Sequence, residues 1–259
     1  MTDTANYHCS TTPKFFILEK EEMTNNSCCK TEQKRLVKEE SKSSCICCGD
    51  HPSVKVFQSA FCRECFVAKF KKNFFCEVRK SLSLTTRKEK QVLVVLDGTI
   101  PSEVLRSLVE SSTSAMITYV LWSVDEVEQV LGVPLPSPSI YDTVAAIEKY
   151  AATNDYDAVL LSSYSIEVAE TLLKMISSGE IDRYNEVFRG KSAPLCYPFY
   201  SSSYKSILYY YVAAGLHQQS TRKHTKRQEA KNPHQVLLRQ LLNTSPSSIF
   251  NLIKTQQKI

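Results

Sequence analysis

An α/β fold with a doubly wound, mainly parallel sheet, preceded by a small cysteine-built module, is predicted by three observations. Two cysteine pairs, Cys45-Ile-Cys-Cys48 and Cys62-Arg-Glu-Cys65, stand at C-x-x-C spacing across a short loop. An unbroken run, Val92-Leu-Val-Val-Leu96, suits a strand covered on both faces. From Gln91 onward, apolar runs alternate with amphipathic stretches, the pattern of repeated strand-helix units.

The elements follow in order. Residues 1–44 are polar, rich in Lys, Glu, Thr and Ser, without a sustained apolar period, and are expected to be a disordered tail. Residues 45–79 are the cysteine module with a basic helix, and 80–90 a charged connector. Each cysteine pair offers two thiolates from one tight turn, and the residues between them read as turn, short strand, turn. That arrangement makes Cys45, Cys48, Cys62 and Cys65 the ligands of a tetrahedral zinc ion. Four thiolates close the shell, so the zinc is expected to be structural, its binding energy serving the folding of a segment too small to bury a core. A disulfide pair or unpaired thiols are the alternatives. No apolar leader lies between Met1 and Lys20 to send the chain to an oxidising compartment, which favours the metal. Cys47 reads as a bystander able to substitute for a lost ligand, and Cys28 and Cys29 as tail thiols.

Residues 91–259 are expected to form the α/β domain. After the first strand come Asp97-Gly-Thr-Ile-Pro-Ser102 and a helix to Glu110, with Pro101 and Ser102 at its start. Residues 115–123 read as the next strand, 142–152 as a helix and 158–162 as a strand. Residues 166–178 read as a helix stopped by Gly179. Residues 192–199 are expected to be a last strand, with helices over 203–216, 233–242 and 249–254. The apolar side of the basic helix, Phe66, Val67, Phe70, Phe74 and Val78, is expected to pack on the cysteine module.

The chain has 259 residues, is 42% hydrophobic and carries a net charge of +5, enough for one good core plus a satellite. No apolar run reaches membrane-spanning length, so a soluble protein is expected. The positive charge is concentrated. Lys69, Lys71, Lys72, Arg79 and Lys80 follow the second cysteine pair, and Arg222, Lys223, Lys226 and Arg227 form a second run. Both are candidate phosphate-backbone contacts, against the plainer alternative of a solvated face. Tyr209, Tyr210 and Tyr211 are candidates for a partner surface, or else helix tyrosines packed in part.

In an open α/β sheet ligands bind at the carboxyl ends of strands, so the loop Asp97, Gly98, Thr99 to Ser102 matters most. A glycine turn before a helix amino terminus is an anion site. This loop suits one poorly: it has a single glycine, Cβ atoms crowd it, and Pro101 lacks an N–H.

The order of these parts, a C-x-x-C pair, Phe61-Cys-Arg-Glu-Cys-Phe66, a basic helix, and Val92-Leu-Val-Val-Leu-Asp-Gly98 before α/β units, resembles the cytoplasmic tRNA 2-thiolation protein 2 family. Weaker echoes are Asp157-Ala-Val-Leu-Leu161, Tyr197-Pro-Phe-Tyr-Ser201 with Lys205, and Ser245-Pro-Ser-Ser-Ile249. The resemblance implies a PP-loop ATPase type of sheet (adenine nucleotide alpha hydrolase-like). It also implies a role in 2-thiolation of the wobble uridine, position 34, of cytosolic tRNAs. PP-loop enzymes carry SGGxDS where this chain keeps only Gly98 and Ser102. The later Arg-Pro-x-Arg-Asp stretch appears as Tyr197, Tyr200 and Ser201, and Cys196 stands alone. The resemblance therefore implies a non-catalytic, cytoplasmic subunit with no catalytic residue and no ATP of its own. It would work beside a catalytic PP-loop subunit, bind tRNA, and depend indirectly on a ubiquitin-like sulfur carrier. The alternatives are a zinc-stabilised interaction module without RNA binding, or an ATP-using sulfurtransferase in its own right.

Overall fold

A tight turn lies at the start of the described residues: the Cys45 amide donates to the Asp50 carbonyl at 2.8 Å and the Gly49 amide to the Cys45 carbonyl at 2.9 Å. Gly49 sits at φ 84°, a left-handed conformation that costs glycine nothing. The computed structural model describes residues 44–56, 59–82, 89–131, 140–219 and 233–256. Strands β1 (Val54–Val56) and β2 (Ser59–Phe61) pair antiparallel, with Val54 opposite Phe61. They lead into helix α1 (Arg63–Ser81), whose first turn is capped by Cys62: its Sγ accepts the Cys65 amide at 3.4 Å.

Helix α1 buries Phe66, Phe70, Phe74 and Val78, the stripe that helical spacing predicts. It packs on more than the cysteine module. Cys45 and Phe61 share a cluster with it, but Phe70 stacks on Tyr210 at 4.7 Å and on Phe199 at 5.9 Å, and Phe74 lies 5.6 Å from Phe199, so the stripe also fills the core of the α/β layer. A hairpin of two three-residue strands offers too little apolar area to bury four large side chains. Arg63 completes the docking. Its Nε and Nη2 donate to the Ala213 carbonyl at 2.9 and 2.5 Å, at the carboxyl end of helix α7 (Tyr204–Ala213), where a cation suits the helix dipole.

The main sheet contains β3 (Lys90–Leu96), β4 (Ile117–Ser123), β5 (Ala158–Leu160) and β6 (Leu195–Cys196), all parallel in the order β4-β3-β5-β6. Helix α2 (Ile100–Glu110) follows β3. Helices α3 (Val124–Leu131) and α4 (Ile140–Thr153) follow β4. Helix α5 (Ser165–Ser178) follows β5 and stops at Gly179, φ 74°. A turn of 3-10 helix (Ile181–Arg183) and α6 (Tyr184–Phe188) precede β6, and α8 (Leu216–Gln219), α9 (Pro233–Thr244) and α10 (Pro246–Gln256) close the chain.

Strand β3 divides the core. Val92, Val94 and Leu96 face α1, α2 and α7, while Leu93 and Val95 face Trp122 and the Val144, Ile147, Ala151 side of α4. A third cluster joins Val168 and Leu172 of α5 to Leu238, Ile249 and Ile253 of α9 and α10. The described residues fall within one compact unit, and no helix among them is long and apolar enough to cross a membrane.

The strand expected over 192–199 is only Leu195–Cys196. Ahead of it the buried Glu148 carboxylate gathers the amides of Lys191, Ser192 (2.5 Å) and Ala193 (3.4 Å), so these N–H groups turn to one oxygen instead of a ladder. Gly190 at φ 74° makes that turn, and a Cβ there would collide with the Ala193 carbonyl. The helix expected over 203–216 breaks at Gly215, φ 77°. Helices α3 and α6 were not foreseen. Helix α3 begins where Glu126 accepts the Ser123 amide at 2.7 Å and hydroxyl at 2.8 Å, a local cap that ends β4 and holds the Glu126 carboxyl below its usual range.

Candidate metal centre and switch-point loop

The sulfurs of Cys45, Cys48, Cys62 and Cys65 all lie within 4.8 Å of one another, and Cys48 and Cys62 are 3.6 Å apart. This is the group of four the C-x-x-C spacing predicts, and it can hold a metal. The first turn presents Cys45 and Cys48; the end of β2 and the start of α1 present Cys62 and Cys65. Cys47 is exposed and outside the group, and Cys28 and Cys29 lie outside the described residues.

Crowding separates the thiols. The Cys62 main-chain N–H brings Cys45 down to about 6. Cys48, although the Asp50 N–H favours its thiolate, is pushed up to about 11 by the Asp50 carboxylate, burial and the neighbouring sulfurs. Cys65 is raised further, first by Cys62. One thiolate is tolerated, and the next ones need a cation among them. Cys48 and Cys65 therefore hold protons at neutral pH that a metal must displace. Metal affinity should rise with pH, by roughly tenfold per pH unit for each proton displaced. Chelator competition at pH 7 and pH 8 measures this; equal affinities at both would contradict it.

The second candidate site is the loop between β3 and α2. Strands β3 and β5 are neighbours whose connections leave in opposite directions, β3 to β4 and β5 to β6, so their carboxyl ends form the switch-point crevice. Asp97 stands in it. Its Oδ1 accepts the Thr99 amide at 3.2 Å and the Thr99 hydroxyl at 2.6 Å, and its Oδ2 accepts the Ser162 hydroxyl at 3.4 Å. The loop's own carboxylate thus takes a donor that a bound phosphate would need, and adds a negative charge at the same place. Ser102, one of the two residues the PP-loop pattern keeps, is 1% exposed, and its hydroxyl donates to the Thr99 carbonyl at 2.8 Å. Gly98 makes the turn at φ 71°. The sequence signal for this closure is the Asp-Gly-Thr order itself, since an aspartate readily bonds the backbone two residues on.

The basic residues separate into those that share a face and those that do not. At 100° per residue, Lys69, Lys72 and Lys80 fall on one side of α1 with Arg79 at its margin, a stripe about 16 Å long. All four are exposed. Lys71 sits about 160° round the helix from Lys69 and is half-buried, so it leaves the group. Lys69 lies over the Phe61 ring at 4.4 Å, and Lys80 pairs with Glu77 at 2.8 Å. Arg222, Lys223, Lys226 and Arg227 lie outside the described residues. The tyrosines proposed for a partner surface are core: Tyr210 and Tyr211 are 1% and 5% exposed, and Tyr209 meets the Phe66 ring edge-on at 4.8 Å. Helix α1 claims that side of α7, an arrangement their spacing does not announce. The anchor Arg63 was likewise missed; it appeared in the sequence only as the variable interior of a cysteine pair.

No protein-family model and no curated protein matches the chain. Among solved structures it is similar to the U34-tRNA thiolase NcsA from Methanococcus maripaludis with its 4Fe-4S cluster. The TM-score is 0.64 at 14% identity, over 83% of this chain and 86% of that one. At this identity the likeness is one of fold. The α/β fold with a parallel sheet, preceded by four cysteines able to hold a metal, is the one predicted from the sequence.

Proposed function

We propose that this chain is the non-catalytic, tRNA-binding subunit of a cytoplasmic tRNA uridine 2-sulfurtransferase, supporting a catalytic PP-loop partner that thiolates the wobble uridine. The sulfur would reach that partner from a ubiquitin-like carrier. The observation that carries this reading is Asp97: on a fold like that of a tRNA thiolase, the loop at the switch point is closed by its own carboxylate. The basic stripe of α1 supports the RNA role, being docked rigidly on the sheet by Phe70, Phe74 and Arg63.

The metal is read as one structural zinc. Zinc–thiolate bonds of about 2.3 Å in a tetrahedron place sulfurs about 3.8 Å apart, close to the spacing of this group. A four-iron cluster puts each thiolate on its own iron and spreads the sulfurs wider. Zinc would tie the first turn to α1 and leave no position open for substrate.

The deciding experiment is a pull-down of the tagged full chain from its own cells, scored for a partner with an intact SGGxDS loop and for bound tRNA. Recovery of both is expected; recovery of neither would sink the reading. Three variants sharpen it. Gly98→Ala should cost about 1 kcal/mol of stability, from its left-handed backbone, yet leave tRNA thiolation in cell extracts within about twofold. A large activity loss with folding intact would mean the loop still works. Replacing Lys69 and Lys72 by Gln should lower the slope of log affinity against log salt for tRNA by about 2, while Lys71→Gln leaves it unchanged. An unaltered slope in the double variant would remove α1 from the RNA surface.

A further inference from the structure

A cavity of about 300 Å³ opens between the last turns of α1 and the loop that joins α2 to β4, near the amino end of β4 and away from the carboxyl ends that form the switch-point crevice. It is separate from the metal group and from the Asp97 loop. Phe75 and Arg79, one helical turn apart on α1, form one wall, and Ser112, Thr113 and Ser114 of the connecting loop form the other. Tyr119 and Ile117 of β4, Val78 of α1 and Ser111 also line it.

Each group has a defined chemistry. The Tyr119 hydroxyl is buried and makes no hydrogen bond of normal geometry among the described residues, the Ser112 side chain being close enough to interact with it more weakly. Burial pushes its pKa up, against the smaller opposing effects of Ser112 and the Arg79 guanidinium nearby, so it stays a neutral donor and acceptor. Ser112 and Ser114 accept main-chain N–H groups through Oγ at 3.5 and 3.4 Å, which leaves the Ser114 hydroxyl proton to turn to the cavity while the Ser112 hydroxyl faces Tyr119. Phe75 is half-buried and offers a ring; Arg79 is exposed and offers a fixed positive charge. The carboxyl end of α2 borders the same space; its Ser107, Leu108 and Val109 carbonyls accept from Ser111 and Ser112, while the negative end of the helix dipole disfavours a bare anion inside.

A flat ring with N–H donors and acceptors at its edge, linked to one negative charge outside, satisfies all of these at once. We infer that this cavity takes a single unpaired nucleotide of a bound RNA, its base against Phe75 within reach of Tyr119 and its phosphate on Arg79. Splayed-out bases held by an aromatic ring and hydroxyl edges are the usual way proteins grip single-stranded RNA. The volume is at the small end for ligand sites and suits one base. Arg79 belongs to the margin of the α1 stripe, so RNA lying along Lys69, Lys72 and Lys80 reaches the opening.

This inference rests on the RNA-binding reading, and its test separates the two. Anisotropy of the full chain would be measured with a labelled 12-nucleotide oligouridylate and with an RNA duplex of matched charge. Tyr119→Phe, which leaves the packing in place, should weaken oligouridylate binding about threefold with an unchanged salt slope. Phe75→Leu should weaken it about tenfold, and neither should alter duplex binding by more than experimental error. Arg79→Gln should lower the oligouridylate salt slope by about 0.7. If Tyr119→Phe and Phe75→Leu both bind oligouridylate like the parent while the Lys69 and Lys72 variant does not, the cavity is not a nucleotide site and the RNA surface stands. If the parent shows no salt-dependent binding to either RNA, both fall.

Discussion

Cys62→Ser should lower bound metal from one ion per chain to about a tenth, with the far-UV circular dichroism nearly unchanged. Cys62 has two roles: its sulfur is one of the four close thiols, and it also caps α1 by accepting the Cys65 amide. Serine keeps the second role, since a hydroxyl is a better helix cap than a thiol, and loses the first because it binds zinc weakly. The helix also keeps Phe66, Phe70, Phe74 and Val78 in the main core. Unfolding should therefore be confined to the turn and hairpin ahead of α1, where metal binding and folding are coupled. Metal analysis reads the first effect, and hydrogen exchange the second, as lost protection of residues 45–61 with α1 protected. Retention of stoichiometric metal would mean that exposed Cys47 has moved in as a ligand, and Cys47→Ser in the same chain would then abolish binding. Retention in the double variant would overturn the ligand assignment.

Phe74→Ala should destabilise the whole protein by about 3–5 kcal/mol, because the side chain is 2% exposed and no neighbour can collapse fully into its space. The ring contacts Phe199 and Phe75, so the cavity would open between α1 and the sheet. For a domain of this size the melting temperature should fall by roughly 10 °C. A single cooperative transition is expected, since α1 and the sheet share one core. Metal content should remain near one per chain, as the four sulfurs lie at the other end of the helix. A loss under about 1 kcal/mol would mean that α1 is only loosely docked. Two separate transitions would mean that the cysteine module and the sheet fold independently.

These two results would also divide what local pattern encodes from what packing adds. Strand β3 was legible because five consecutive apolar residues at Val92–Leu96 have few other solutions, and α2 and α5 because Pro101 and Gly179 mark their ends. Strand β6 was overestimated because its neighbours are diverted to Glu148, a residue 43 positions away in sequence from Lys191. Such a contact has no local signature. The metal group was legible in full, since C-x-x-C turns bring each pair together before any tertiary contact forms. The basic residues were legible as a cluster but not as a surface.

By itself, the sequence determined the set of four close cysteines, the alternation of strands and helices, and the Asp-Gly-Thr turn at residues 97–99. Each depends on residues only a few positions apart. Tertiary structure alone decided that α1 belongs to the main core, that Tyr210 and Tyr211 are interior, that Lys71 parts from Lys69 and Lys72, and that Asp97 meets Ser162 across the crevice. The physical reason is the same throughout. Burial is a property of surfaces brought together from distant parts of the chain, and an amphipathic pattern states that a face is covered without stating by what.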